Sequence, residues 1–272
     1  MKRPIAIVNP HSGLAVPPEL EGRLALTERQ IFNEADIFAE QIYDFADDVL
    51  YTEVFSIARA IIDVNRPNDP SRTRPGDGIV KRQTSYGAPV FLPGAEPDAA
   101  LEQLLIEKYW QPWHDMLDQI ANDSAVKFVL DAHTMAATGP DKYNDPHKRR
   151  PRVAVCNLGD KQGLARPTYP LTASTELMHE LASRLERPFA NLPSLAQAGP
   201  AVAINDPFWG GWNLYAHGGK QQPWVMMEIS RAMYVGDQTG ETAVSPPQTT
   251  HIEGLKTAVW QALDEIWTIA SL

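Results

Sequence analysis

Cysteine is almost absent from this chain. Cys156 is the only one in 272 residues, so no internal disulfide can form. That scarcity fits a reducing compartment. Long hydrophobic runs are missing as well, and nothing approaches the ~20 apolar residues of a membrane span. The N-terminus starts with two basic residues, Lys2 and Arg3, and its short apolar stretch is broken by Asn9 and Pro10. It is too short for a secretory h-region and reads as a first buried strand. The expectation is a cytoplasmic protein. Positive charge is in deficit, 24 Lys and Arg against 34 Asp and Glu, for a formal net charge of -10. A nucleic-acid partner is therefore not expected, because phosphate binding needs a basic surface. Docking on an anionic membrane is disfavoured on the same ground. A local basic pocket for an anionic small molecule stays compatible with that charge. There is no internal repeat and no low-complexity linker, so residues 1–272 read as one domain.

What the chain does have is strands alternating with helices. Ile5–Val8 is a compact β-branched run, a buried strand ending in the turn residues Asn9-Pro10-His11-Ser12-Gly13. The spacing predicts a helix over Thr27–Ala46 and a strand pair or bent strand over Val54–Val64. A loop dense in proline and glycine follows, from Asn65 to about Gly94; a loop this long inside a compact domain points to function. Pro97–Asn122 reads as a long helix kinked or broken at Pro112. Further strands are expected at Val126–Leu130, Arg152–Cys156, Ala201–Ile204 and Trp224–Ile229. Leu171–Leu185 and an amphipathic Thr249–Ser271 read as helices. The pattern predicts an α/β fold with a mixed, mostly parallel sheet covered by helices.

Open α/β sheets place their sites at the carboxyl ends of strands. Two predicted strands are followed by a histidine there, His11 and His133. Catalytic zinc sites combine such histidines with a carboxylate and leave a position for water. Asp36 and Glu40, one helical turn apart, can each supply the carboxylate. Asp131 stands where a carboxylate orients a ligand histidine. Glu228 interrupts the apolar run Trp224–Ile229, and a carboxylate there must be paired, exposed or functional. Near a metal it suits proton transfer. Arg66, directly after Asn65, and Arg59 are candidates for a bidentate clamp on a substrate carboxylate. Asp206–Trp212 is a Gly-hinged aromatic loop, either a pocket wall or a packed turn.

These segments, taken in order, resemble the N-formylglutamate amidohydrolase family. Asn9–Gly13 resembles its Pro-His-Ser/Ala-Gly opening, and Glu34-Ala35-Asp36 its acidic segment. Arg59–Arg66 is similar to its Arg-x-x-x-Asp-Leu-Asn-Arg stretch, and Tyr109–His114 to its Pro-Tyr-His helix. Asp131–Met135 resembles Asp-x-His-Ser-Met, with Thr134 in place of serine. Gly210-Gly211 and the Glu228-Ile229 strand complete the order. The resemblance implies a fold similar to zinc carboxypeptidases, with one zinc per chain held by His11, Asp36 and His133. It also implies Glu228 as general base and a substrate site lined by Arg59, Asn65, Arg66 and His114. The choice of Asp36 over Glu40 comes from the resemblance.

The expected reaction is hydrolysis of an N-formyl amino acid, by default N-formylglutamate. Two rivals stand beside it: a zinc amidase or peptidase with an aromatic pocket from Trp209 and Trp212, and an inactive small-molecule binding protein. A His-His-Asp set also accepts other divalent metals. Around Gly210-Gly211 the sequence departs from relatives specific for N-formylglutamate, which carry basic residues there; Tyr215 stands near the expected arginine. That departure points toward a bulkier or more apolar acyl-amino acid, and the insertion-like Arg72–Gly94 adds to it. The sequence gives no sign of oligomeric state.

Overall fold

The computed structural model describes residues 2–270. Six strands form one sheet: β1 (Arg3–Asn9), β2 (Val49–Val54), β3 (Phe128–Met135), β4 (Val153–Cys156), β5 (Val202–Ile204) and β6 (Trp224–Ser230). Their spatial order is β2-β1-β3-β6-β4-β5. The first four run parallel, whereas β4 pairs antiparallel with β6 and parallel with β5. The sheet is thus mixed and mostly parallel, as the strand-helix alternation predicts.

Alternation along the central strands sorts the side chains onto two faces. One face carries Ile5, Ile7, Leu130, Val225, Met227 and Ile229. It is covered by α2 (Ala39–Ile42), α5 (Thr175–Asn191), α7 (Thr249–Leu263) and α8 (Ile266–Ala270). The other face carries Ala6, Val8, Val129 and Met226. Part of it lies under α4 (Gln111–Asn122) and α6 (Trp212–His217). The polar residues Asp131, His133 and Glu228 share this second face by the same alternation.

Several elements differ from the sequence expectation, each for a local reason. The expected Thr27–Ala46 helix is two helices, α1 (Glu28–Glu34) and α2, separated by an extended Ala35 and a left-handed Phe38 with φ 62°. A capping box joins Thr27 to Gln30 at the start of α1. Its last carbonyls meet Arg231 from beyond β6: Nη1 donates to Asn33 O at 3.0 Å and Ala35 O at 2.6 Å. The helix therefore stops before Asp36, which lies between helices and not on one. The predicted strand Val54–Val64 is displaced to Val49–Val54. Beyond it the chain turns at Ala58–Ile62 and pairs with the long loop, where Asp63 N donates to Ile79 O and Lys81 N to Ile61 O.

The Pro97–Asn122 helix is not broken at Pro112. α3 (Ala99–Leu105) passes through a π-helical turn, Ile106–Trp110, into α4, where Pro112 is the second residue. The wider turn absorbs the missing N–H. Strand β3 extends five residues past Leu130, so Asp131 and His133 lie within it and not after it. α5 begins at Thr175, capped by the Ser174 side chain, and runs six residues past Leu185. The closing helix divides at Asp264 and at Glu265, whose φ is 64°; its expected end, Ser271, lies outside the described residues. The expected loop Asp206–Trp212 runs straight into a short helix, α6, which no pattern in the sequence predicts. Among the described residues, no helix is long and apolar enough to cross a membrane.

Leu181 on α5 is fully buried in the first-face core. Leu181→Ala should lower unfolding free energy by about 2–5 kcal/mol, read by urea denaturation. A loss below about 1 kcal/mol would show that α5 is not held by that core.

Candidate metal centre

Strand β1 ends in a turn built by Asn9, whose Oδ1 accepts from His11 N at 3.3 Å and Ser12 N at 3.2 Å. Gly13 passes so close to Ser56 that a Cβ would lie 2.2 Å from its backbone carbon, so no other residue fits. His11 is thereby turned in beside β3. Its ring centroid lies 4.7 Å from that of His133. Asp36 arrives from the α1–α2 junction, tied by its own N–H to His11 O at 3.0 Å. Glu40 stands apart on α2 and takes no place in the cluster.

His11, Asp36 and His133 are buried, and one candidate ligand atom from each lies within 4.8 Å of the others. The two imidazoles are arranged alike. Each Nε2 faces a buried carboxylate, His11 to Asp63 Oδ1 at 2.8 Å and His133 to Asp131 Oδ1 at 3.1 Å. Each Nδ1 faces Asp36 Oδ2, at 3.8 Å and 3.2 Å respectively. His11 Nδ1 and Asp36 Oδ1 are buried with no hydrogen-bond partner. Ligands of a tetrahedral zinc with bonds near 2.1 Å sit about 3.4 Å apart. The orphaned atoms, the spacing and the outward-anchored Nε2 groups all fit a cation at this point, with carboxylates fixing the tautomers. The electrostatics agree. Burial, helped by the Arg59 charge, lowers His11 to about 4 and keeps it neutral. Burial works against charge on His133 too, but Asp131 and the hydrogen bonds to Asp131 and Asp36 overcome it and raise its pKa. Metal binding there must release a proton.

Asp63, like Asp131, has no solvent exposure. Burial alone would raise its pKa, yet Arg66, His11, Lys81 and Arg59 hold it well below the usual carboxylate range. Arg59 Nη2 lies 3.3 Å, Arg66 Nη1 3.4 Å and Lys81 Nζ 3.3 Å from Asp63 Oδ2. Arg66 and Lys81 also pair with Asp77. The two arginines expected to clamp a substrate do face the cavity, but both are engaged by Asp63. Asn65 reaches the candidate cluster, its Nδ2 3.4 Å from His133 Nε2 and its Oδ1 accepting from Asn213 N at 2.8 Å. Asn213 in turn donates to Asp131 Oδ1 at 3.2 Å. A Cβ on Gly211 would stand 2.3 Å from Asn65 Nδ2, which explains the glycine.

The register of β3 against β6 sets Glu228 directly opposite His133. Burial pushes its carboxyl up to about 8, against the pull of the His133 charge. Glu228, Asn65, Arg59 and both histidines line an inner chamber of about 190 Å³. Arg150, absent from the sequence candidates, is also there. It is paired to Asp145 at 2.7 and 3.0 Å and has Phe208 and Tyr143 over its guanidinium. His114, expected in the substrate site, stands outside this lining; its Nε2 lies 2.9 Å from Val64 O and its Nδ1 2.7 Å from His217 Nε2.

An outer chamber of about 290 Å³ adjoins the inner one through shared walls at Arg66, Ser85, Tyr143, Phe208 and Gly210. The proline- and glycine-rich loop supplies one side of it through Arg74, Asp77, Lys81 and Gln83. Seven cationic and four acidic side chains line the two chambers together. In a chain of net charge -10 this is a local positive field facing any anionic ligand. Glu34, buried and accepting from Ser85 N and Oγ, also reaches the inner wall, and its Oε2 has no partner.

Asp63→Asn should weaken zinc binding about 10- to 100-fold, because it removes the anchor of His11. Competition with a chromophoric chelator measures this. Unchanged affinity would remove His11 from the ligand set.

The N-formylglutamate amidohydrolase family model matches residues 3–235. Among solved structures, N-formylglutamate amidohydrolase from Ralstonia eutropha JMP134 superposes with a TM-score of 0.71 at 18% identity, covering 99% of this chain and 94% of that one. An Agrobacterium tumefaciens gene product follows with a TM-score of 0.60 at 17% identity, covering 98% and 88%. At such identities the likeness speaks for the fold. No curated protein sequence matches the chain. With the family model spanning the strands, the metal cluster and Glu228, this chain belongs to the N-formylglutamate amidohydrolase family.

Proposed function

We propose that this protein is a zinc-dependent hydrolase of N-formyl amino acids, with N-formylglutamate as the default substrate, yielding formate and the free amino acid. The observation that carries this reading is the buried His11–Asp36–His133 cluster with orphaned inward atoms, beside a buried carboxyl at Glu228. One zinc per chain would be held by those three residues. When bound, it supplies a Lewis acid that polarises the formyl carbonyl and lowers the pKa of water, and its charge draws Glu228 toward the ionised form.

The chain's own residues do the rest. Glu228 takes a proton from the attacking water and returns it to the leaving nitrogen, so the amide C–N bond breaks as the new C–O bond forms. Asp63 and Asp131 hold both imidazoles in the Nε2-protonated form, which leaves each Nδ1 free to ligate. Arg59 and Arg150 face the inner chamber and place positive charge where the substrate carboxylate must lie. The apolar wall at Met226 and Phe208 limits water around the reacting atoms.

Glu228→Gln should keep the bound metal and lose about 10²- to 10⁴-fold in kcat on N-formylglutamate. Zinc content by mass spectrometry and formate release are the two readings. Full activity in that variant would remove Glu228 from proton transfer. Zinc-loaded wild-type protein that hydrolyses none of a panel of N-formyl amino acids would overturn the proposal.

One observation favours a longer acidic substrate over the default. In the outer chamber Arg74 and Lys142 hold only neutral acceptors: Arg74 donates to Lys142 O and Asn144 Oδ1, and Lys142 to Gln83 Oε1. Their charge is available to a second carboxylate beyond the scissile amide. If it is used, the double variant Arg74→Ala/Lys142→Ala should lower kcat/KM for N-formyl-glutamyl-glutamate by about tenfold, the scale of a lost charged contact, while N-formylglutamate is unaffected. Equal losses on both substrates would return the outer chamber to a general electrostatic role.

A further inference from the structure

Behind the metal cluster, outside both chambers, four rings stand in file: Trp110, His114, His217 and Trp224. Successive centroids are 4.0, 5.0 and 5.9 Å apart, with planes inclined by 36°, 21° and 24°. A line of hydrogen bonds runs through the two imidazoles. Val64 O lies 2.9 Å from His114 Nε2, His114 Nδ1 lies 2.7 Å from His217 Nε2, and His217 Nδ1 lies 2.8 Å from Asp118 Oδ1. Both ends of this line are acceptors, a peptide carbonyl and a carboxylate.

Three contacts between acceptors and ring nitrogens require three N–H protons. Two neutral imidazoles carry only two. If both rings were neutral, one of the three contacts would set lone pair against lone pair at under 3 Å. We infer that His114 and His217 share one proton more than two neutral rings carry, and that this buried cation positions the Val64–Arg66 segment on which the metal cluster rests.

The groups facing the pair come from every element packed on it. Asp115 and Asp118 lie on α4, Asp131 on β3, and Lys220 just beyond α6. Burial opposes the charge and lowers both rings from their usual value, His114 to about 4 with the His217 charge adding to it, so the pair holds one extra proton at most and takes it up below the usual imidazole range. Asp118 and the two flanking indole faces favour the first.

The consequence reaches the site through three consecutive carbonyls. His114 Nε2 donates to Val64 O, Arg66 Nη1 to Asn65 O at 3.0 Å, and Trp110 Nε1 to Arg66 O at 2.9 Å. With its backbone held on both sides, Asn65 presents its side chain to His133 and to Asn213 N. Asn213 and His217 lie four residues apart on α6, one contacting Asp131 and the other His114. That short helix therefore braces the residues around the metal against α4. His114 and His217 are positioning residues and touch no substrate.

The test is nuclear magnetic resonance of protein labelled with ¹⁵N only in histidine, metal-free, titrated from pH 4 to pH 8. At pH 5 the pair should show three protonated ring nitrogens and one shared charge. Asp118→Asn, at a side chain 59% exposed and so safe for folding, should lower the pair's midpoint by about one to three pH units. Two singly protonated rings at pH 5 in the wild type would overturn the inference, and so would a midpoint that Asp118→Asn leaves in place. Neither readout depends on turnover, so failure here is distinct from failure of the proposed hydrolysis.

Discussion

Asp63 is a carboxylate with no solvent exposure that answers to His11, Arg59, Arg66, Lys81 and the Asn65 N–H together. An isolated buried carboxylate is costly, and so is each of the cations around it. Assembled, they satisfy one another, and removing any member leaves a buried charge without its counterpart. This is why the turn after β1, the Arg59–Arg66 segment and the long loop carrying Lys81 must fold against each other. The His11–Asp36–His133 cluster inherits its precision from that assembly, because Asp63 fixes the His11 ring. Asp131 does the same for His133, itself steadied by Asn213 and so by α6.

The two carboxylate–imidazole pairs do more than hold rings in place. An imidazole whose Nε2–H is committed to a carboxylate has its Nδ1 lone pair left over, and both Nδ1 atoms point to Asp36. Parallel pairing then fixes Glu228 one strand away from His133, on the same face. Glu228 and His133 thus sit on neighbouring strands of one sheet. Around them the lining is net positive, although the molecule is acidic. The field is local because Asp77 and Asp145 neutralise only part of the cationic wall.

The central strands were legible because buried strands read as short continuous apolar runs: Ile5–Val8, Arg152–Cys156, Ala201–Ile204 and Trp224–Ile229 all fall on observed strands. His11, His133 and Glu228 stood out by their positions at or within those runs. Asp63 offered the same signal, an acid between Ile62 and Val64, and its anchoring role was missed because an acid is costly anywhere in such a run and the sequence does not name its partners. The break between α1 and α2 was illegible for a different reason. Its cause, Arg231, lies almost 200 residues downstream, and no window around Ala35 contains it. Helix α6 starts at Gly211 with no side-chain cap, so nothing local announces it. Arg150 sits in an unpatterned loop, where only the fold reveals that it faces the chamber.

That break before Asp36 is what brings its carboxylate to His11 and His133. Had α1 continued, its 3.6-residue period would have set Asp36 on the helix surface, its N–H committed to the preceding turn. Instead the N–H bonds His11 O, and the carboxylate accepts from Thr134 N at 3.0 Å. Ending a helix in a buried place leaves carbonyls without partners, and Arg231 supplies the donors. Its position directly after β6 ties this cap to the strand that carries Glu228. A change that loosens Arg231 therefore acts on Asp36 and on the end of β6 at once, although Arg231 is not part of the His11–Asp36–His133 cluster. The place of Asp36 in the cluster depends on an arginine whose own work is to stop a helix.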